Sequence, residues 1–209
     1  MLDNIVIIDY NMGNLRSVEK AFERVGGDVT ISSDHSIIKS ASKIVLPGVG
    51  SFKDGMKQLN KLGLIDILNS EVIENKKPFL GICLGMQLVS KVGYENGESS
   101  GLGWVDAEVI KFDFSNLEKK LKIPHIGWNS VVYNKTNPLF NEIKDNSDFY
   151  FVHSYHFNTN EDIVTSRTDY GIDFISSIYK DNIFAFQFHP EKSQSVGLKL
   201  IENFINIEA

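Results

Sequence analysis

The chain has 209 residues, the size of one domain over 1–209 and long enough to bury a substantial core without staples. Its 21 Lys and Arg against 27 Asp and Glu give a net charge of −6 with no basic run, which excludes the footprint of a nucleic-acid or anionic-membrane binder. The single cysteine excludes an internal disulfide framework and any Cys-cluster metal site, and suits a reducing cytoplasm. The N-terminus runs directly into the apolar Ile5-Val6-Ile7-Ile8, and no stretch approaches the ~18 apolar residues of a membrane span, so neither secretion nor insertion is expected.

Asn4 to Asp9 is a short apolar run bounded by polar residues, the pattern of a strand buried on both faces. Asn14 is placed to cap a helix over Leu15 to Val25, whose Leu15, Val18, Phe22 and Val25 share one face. Asp28 to Ile31 and Lys43 to Leu46 read as the next strands, so strand and helix alternate as in a parallel sheet covered on both sides. Pro47-Gly48-Val49-Gly50-Ser51-Phe52 then leads into a helix around Asp54 to Leu68. On its own this is an ordinary strand-to-helix turn, and it lacks the Gly-Lys-Ser/Thr ending of a phosphate loop.

Lys77 to Leu88 is the informative stretch. A buried strand, Phe79 to Ile82, meets a helix at Cys83, with Gly81 and Gly85 two residues to either side. This is the Gly-x-nucleophile-x-Gly elbow, in which small flanking residues make room for a sharp turn that exposes the side chain at its apex. A helix starting there points backbone N–H groups at the sulfur and favours thiolate. The competing reading is a buried structural cysteine, where most free cysteines sit. Beside the elbow, the N–H of Leu84 with those of Val49 or Gly50 can form an oxyanion hole.

After a Gly- and Ser-rich loop, Gly93 to Gly103, the chain changes character. Trp104–Phe112, Gly127–Tyr133, Phe149–His153, Ile163–Arg167, Phe174–Tyr179 and Ile183–Phe188 are β-branched and aromatic runs expected to add antiparallel strands. Ser193 to Ile207 closes the chain as an amphipathic helix with Val196, Leu200, Phe204 and Ile207 on one stripe. Just before it, Pro190 biases His189 toward extended geometry, so that Glu191, two residues on, lies on the same side. A carboxylate on one imidazole nitrogen leaves the other to take a proton from Cys83, the nucleophile–base–orienter arrangement. A capping histidine and a first-turn acid would be the plain alternative for each residue alone. His153 is a rival base or a rim histidine, His125 and His35 show no partner, and no metal-ligand cluster is present in the spacing.

The elbow Gly81 to Gln87, the loop Pro47 to Gly50 and the tail His189-Pro190-Glu191 resemble the class I, triad-type glutamine amidotransferases. Asp9 to Ser17, Pro124 to Asn129 and Phe149 to Tyr155 are similar to the glutaminase subunits of imidazole glycerol phosphate synthases, and the likeness covers essentially the whole chain. The resemblance implies a single-domain α/β, flavodoxin-like fold with a central, mainly parallel sheet, helices on both faces and antiparallel additions in the C-terminal half. It implies Cys83 as nucleophile, His189 as base and Glu191 as its orienter, with Val49, Gly50 and Leu84 serving the oxyanion, and a loop that flips to do so. It assigns Gln87, Glu95, His153, Ser154 and Tyr155 to glutamine, with Glu95 on its α-ammonium, and Tyr150 and Lys192 to a subunit interface and ammonia path. It implies no cofactor or metal, and a heterodimer with a (β/α)8-barrel cyclase subunit that receives the ammonia for imidazole glycerol phosphate synthesis in histidine biosynthesis. Alternatives are a paralogous glutaminase aminating another acceptor such as a surface-polysaccharide sugar, a stand-alone thiol hydrolase, and a catalytically silent binding or activating subunit.

Overall fold

The structure is a computed structural model that describes residues 4–118 and 121–208. In chain order it runs β1 (Asn4–Ile8), α1 (Leu15–Arg24), β2 (Asp28–Ser32), α2 (His35–Ser40), β3 (Lys43–Gly48), α3 (Phe52–Lys61), α4 (Leu64–Leu68), β4 (Phe79–Cys83) and α5 (Leu84–Leu88). The second half holds β5 (Val92–Gly93), β6 (Ser99–Ser100), β7 (Ala107–Lys111), β8 (His125–Tyr133), β9 (Ser147–His153), β10 (Tyr155–Thr159), β11 (Val164–Asp169), β12 (Asp173–Lys180), β13 (Ile183–Phe186) and α6 (Gln194–Ile205).

The sheet is ordered β2-β1-β3-β4-β13-β12-β10-β7-β5-β6, with β11 and the β8–β9 hairpin branching from β12. β2, β1, β3, β4 and β13 are mutually parallel, and the antiparallel additions begin at β12. Alternation along the buried strands divides the core. Val6, Ile8, Ile44 and Leu46 face a cluster with Phe52, Leu59 and Leu64 from α3 and α4. Ile5, Ile7, Val45, Leu80 and Ile82 face the other, with Phe22 of α1 and Phe204 of α6. Those two rings meet edge-on at 6.3 Å and tie the first helix to the last. Each fully buried side chain of this size contributes about 1.5–3 kcal/mol from apolar transfer.

Several expectations need correction. The helix expected over Asp54 to Leu68 is broken: α3 ends at Lys61, Gly63 takes φ +65, and α4 runs on into a π-helical turn over Asn69–Glu74. Left-handed geometry at Gly63 costs little because it has no Cβ. β10 and the short α2 carried no readable signal, Tyr155–Thr159 being largely polar and α2 being a single capped turn and a half nucleated by Asp34. Ile183–Phe188, grouped with the antiparallel strands, is parallel to β4 and antiparallel only to β12. That placement sets β13 directly beside the elbow strand. In such sheets ligands bind outside the carboxyl ends of the strands, and β3, β4 and β13 end together there.

Candidate active site

Three consecutive strand ends build the site. At the end of β4, Cys83 sits at φ +53, ψ −104, outside the ordinary regions for an L-residue. The flanking glycines are required by close approach. A Cβ on Gly81 would lie 2.9 Å from the Gly85 carbonyl oxygen, and one on Gly85 would lie 1.7 Å from that of Leu46 on β3. The turn therefore packs backbone on backbone, and in doing so buries the cysteine. Its relative exposure is 6%, so the apex is not exposed as the elbow pattern suggests but opens only into a cleft. In thiol form Cys83 Sγ donates to the Val152 carbonyl at 3.9 Å, and Gln187 Nε2 donates to the sulfur at 3.6 Å.

His189 follows β13. Its backbone is extended, at φ −105 and ψ 93, and its N–H donates to the Tyr150 carbonyl at 2.9 Å. Ser193 Oγ closes the clasp, donating to the His189 carbonyl at 2.6 Å and accepting from the Tyr150 N–H at 3.0 Å. Glu191 is reached by a different route from the one expected. The chain doubles back through a 3-10 turn over Pro190–Lys192, which brings Glu191 Oε1 to 2.7 Å from His189 Nδ1. Both side chains are almost fully buried, at 2% and 4% exposure. With Nδ1 on the carboxylate, the buried Nε2 is left without a hydrogen-bond partner, and Cys83 lies near enough to act on the ring's pKa. Burial pulls the His189 pKa down, but the Cys83 charge and hydrogen bond, joined by Glu191, outweigh it and raise the pKa to about 10. The site is organised to hold an imidazolium beside Cys83.

A cleft of about 520 Å³ lies over the sulfur, lined by Val49 and Gly50, by Leu84 and Gln87, by Glu95 and Lys192, and by His153, Ser154 and Tyr155 among others. The structure thus gathers every residue that the sequence assigns to nucleophile, oxyanion and substrate. Gly50, at φ +106, occupies a conformation open to glycine, and the loop ends on Ser51, whose Oγ caps α3 by accepting from the Asp54 N–H. Glu95 Oε2 accepts from the Phe52 N–H at 2.9 Å, fixing its negative charge at the cleft rim. Gln87 Nε2 donates to the Tyr155 carbonyl at 3.0 Å and to Gln187 Oε1 at 3.1 Å, so its amide braces the cleft floor. Tyr150 and Lys192 meet at the mouth, the ammonium 5.7 Å from the ring centroid, and Trp128 lies edge-on to Tyr150 at 6.0 Å.

Residues that sequence reasoning did not single out also enter. Gln187 reaches the sulfur from the end of β13, and the only signal for it is its place two residues before His189. Tyr10, fully buried beside the loop, has a hydroxyl without a hydrogen-bond partner, against which a Cβ on Gly48 would collide at 2.0 Å. Burial, with the Cys83 charge, drives its ionisation far above the usual phenol range. His153 is no rival base: its Nε2 contacts His125 Nδ1 at 3.0 Å and its Nδ1 donates to the Tyr155 carbonyl at 2.8 Å. His35 is exposed. Among the described residues no group of three or more His, Cys, Asp or Glu could hold a metal ion, and no helix is long and apolar enough to cross a membrane.

A family model described as "Glutamine amidotransferase class-I" matches residues 6–207. An "Imidazole glycerol phosphate synthase subunit HisH 1" from Campylobacter jejuni is 50% identical over 203 residues, 97% of this chain and 100% of the relative. Proteins named as that subunit from Pelagibacter ubique and Aquifex aeolicus are 46% and 50% identical, covering 98% and 95% of this chain and 100% and 94% of their own. A structure described as that of PurLQS from Thermotoga maritima superposes with a TM-score of 0.72 at 18% identity, covering 98% of both chains. A structure described as a glutamine amidotransferase superposes at 0.74 with 18% identity, covering 97% of this chain and 99% of its own.

Proposed function

This chain belongs to the class I glutamine amidotransferase family, and from that premise we propose that it is the glutaminase subunit of an imidazole glycerol phosphate synthase. It hydrolyses glutamine to glutamate and ammonia in the cytoplasm and passes the ammonia to a (β/α)8-barrel cyclase subunit in histidine biosynthesis. The observation that carries the chemistry is the buried His189–Glu191 pair, 2.7 Å apart, turned toward a cysteine on a strained elbow at the floor of a cleft.

The steps follow from that geometry. The Cys83 thiolate attacks the γ-carboxamide carbon, and the oxyanion that forms is received by the N–H of Leu84 with that of Val49 or Gly50. His189, held as imidazolium by Glu191, gives its Nε2 proton to the departing nitrogen, and the C–N bond breaks to leave a γ-glutamyl thioester. The neutral imidazole then takes a proton from water, hydroxide adds to the thioester, and glutamate leaves as the thiolate returns. Gln87, Ser154 and Tyr155 hold the amino-acid portion, with Glu95 matched to its α-ammonium. The partner seats on the cleft mouth, where Val49, Ile126 and Trp128 are exposed at 41%, 58% and 45% beside Tyr150 and Lys192. A partner that reorients Gly48-Val49-Gly50 supplies the oxyanion donor, and so couples glutamine hydrolysis to demand for ammonia.

The test is glutamate release from glutamine by the purified chain, alone and with the cyclase subunit and its ribulosyl substrate. Strong stimulation that disappears in Cys83→Ala is expected. Activity surviving in Cys83→Ala would overturn the mechanism, and absence of stimulation with folded protein would overturn the pathway.

A further inference from the structure

At the cleft wall lies a hydrogen-bonded histidine pair, His153 in the lining and His125 behind it, that moves no proton in the proposed steps. His125 opens β8 and His153 ends β9, opposite each other in register. His125 is fully buried, its ring stacked between Tyr170 at 4.0 Å and Phe151 at 5.0 Å. Four atoms set the protonation pattern. His153 Nδ1 lies 2.8 Å from the Tyr155 carbonyl, an acceptor only, and therefore carries a proton. A neutral His153 then has a bare Nε2, which must accept from His125 Nδ1 at 3.0 Å. The remaining nitrogen, His125 Nε2, lies 2.7 Å from Asn129 Oδ1, whose amide nitrogen donates to the Asp169 carbonyl at 3.2 Å. Two neutral rings carry two protons for three contacts. A third proton therefore fits at one place, His125 Nε2, at the end of the chain farthest from the cleft.

We propose that His125 is a positioning residue that locks His153 in its neutral, Nδ1-protonated form and so fixes the Tyr155 carbonyl in the wall of the glutamine cleft. That carbonyl also receives the Gln87 amide, which is bonded to Gln187, which in turn touches the Cys83 sulfur. If His153 Nε2 took up a proton, either two N–H groups would face each other or His125 would have to shift its own proton to Nε2, and in both cases a cation would stand beside the His189 imidazolium. Burial first, and then the neighbouring His125, His156 and His189, already hold the His153 pKa well below the ordinary histidine value. The titratable groups around the pair are His156 and Tyr155 on β10, Tyr170 beyond β11, His189 beyond β13, and Cys83 on β4, with Lys192 across the cleft. A hydrogen bond donated to the neutral form disfavours protonation, so removing the His125 donor raises the His153 proton affinity.

This rests on the glutaminase reading for its kinetic consequence but not for its structural one, and the two are tested separately. In the unmodified chain with 15N-labelled histidine, imidazole NMR from pH 5 to 9 should show His153 protonated at Nδ1 only, with His125 Nε2 as the first nitrogen of the pair to gain a proton. An Nε2-protonated His153, or a His153 that titrates before His125, would overturn the proposal whether or not glutamine is a substrate. His125→Phe keeps a ring in the aromatic stack and deletes the donor. The KM for glutamine of the complex with the cyclase subunit should then acquire a new acid limb, rising about tenfold per pH unit below the new His153 ionisation, while kcat keeps the parent's pH profile. A KM profile parallel to the parent's, or a loss carried by kcat alone, would refute it. Asn129→Asp should raise the pH at which His125 titrates and leave His153 neutral, and titration of His153 instead would count against the lock. Failure of the parent to release glutamate would refute the glutaminase reading, and the NMR result would still decide this one.

Discussion

Gly85→Ala tests how far the elbow depends on close backbone contact. The added methyl carbon would lie 1.7 Å from the Leu46 carbonyl oxygen and 2.8 Å from its carbon. Ordinary contact begins at 3.4 Å, so α5 and β3 must separate by roughly the difference, 3.4 − 1.7 = 1.7 Å. The obstacle is backbone on a central strand, with Leu46 wholly buried, and no flexible side chain can swing away. Overpacking of this kind costs about 1–3 kcal/mol and can exceed it, or about 2–12 °C in Tm at 2–4 °C per kcal/mol for a chain of this size. Activity should suffer more than stability. The same movement carries the Leu84 N–H away from the oxyanion, and misplacement by about 1 Å costs on the order of a hundredfold in rate. Thermal unfolding followed by circular dichroism, and glutamate release by the complex, read the two effects. A variant with parental Tm and parental kcat would refute the close-packed elbow.

Further outcomes follow from individual contacts. His189 has a folded-state pKa of about 10, raised above its ordinary 6.5, so its contribution to stability is complete below pH 6.5 and is lost as pH rises through about 10. The slope approaches about 1.4 kcal/mol per pH unit at its steepest, and Cys83→Ala, which removes the charge holding the proton, should flatten it in a series of Tm measurements. Tyr10→Phe deletes a buried hydroxyl that has no partner and should leave Tm unchanged or raise it by the equivalent of about 1 kcal/mol; a clear fall in urea midpoint would contradict the absence of a bond. Lys77 Nζ lies 2.7 Å from the buried Glu71 carboxylate, so Lys77→Met strands a buried charge and should cost about 3–5 kcal/mol, measured by urea unfolding. A loss under about 1 kcal/mol would place that pair with ordinary surface ion pairs.

The sequence by itself determined whatever depends on local pattern. Unbroken apolar runs placed β1, β3 and β4 because a strand buried on both faces alternates with no polar position, and Gly81 and Gly85 marked the elbow because only glycine tolerates the contacts it makes. Cys83 and the His189–Glu191 pair were legible as candidates for the same reason, the turn around Cys83 and the spacing of two residues, although a 3-10 turn and not an extended segment brings the pair together. Where competing local signals were weak, the pattern misled or was silent. Gly63 broke a helix that apolar periodicity extended, and β10 is too polar to announce itself.

Only the tertiary structure decided what depends on residues far apart in the chain. β13 crosses back to lie parallel to β4, and that pairing alone sets His189 against Cys83, more than 100 residues earlier. The sulfur is buried, not displayed, because the cleft wall arrives from β9 and β10. The partners of Gln187 and His125 are fixed by strand register, which no spacing in the sequence encodes. Hydrogen bonds in a low-dielectric interior are specific to a fraction of an ångström, whereas hydrophobic burial is not directional. The sequence pattern therefore reveals the fold that burial builds, and the packed structure decides which nitrogen holds which proton.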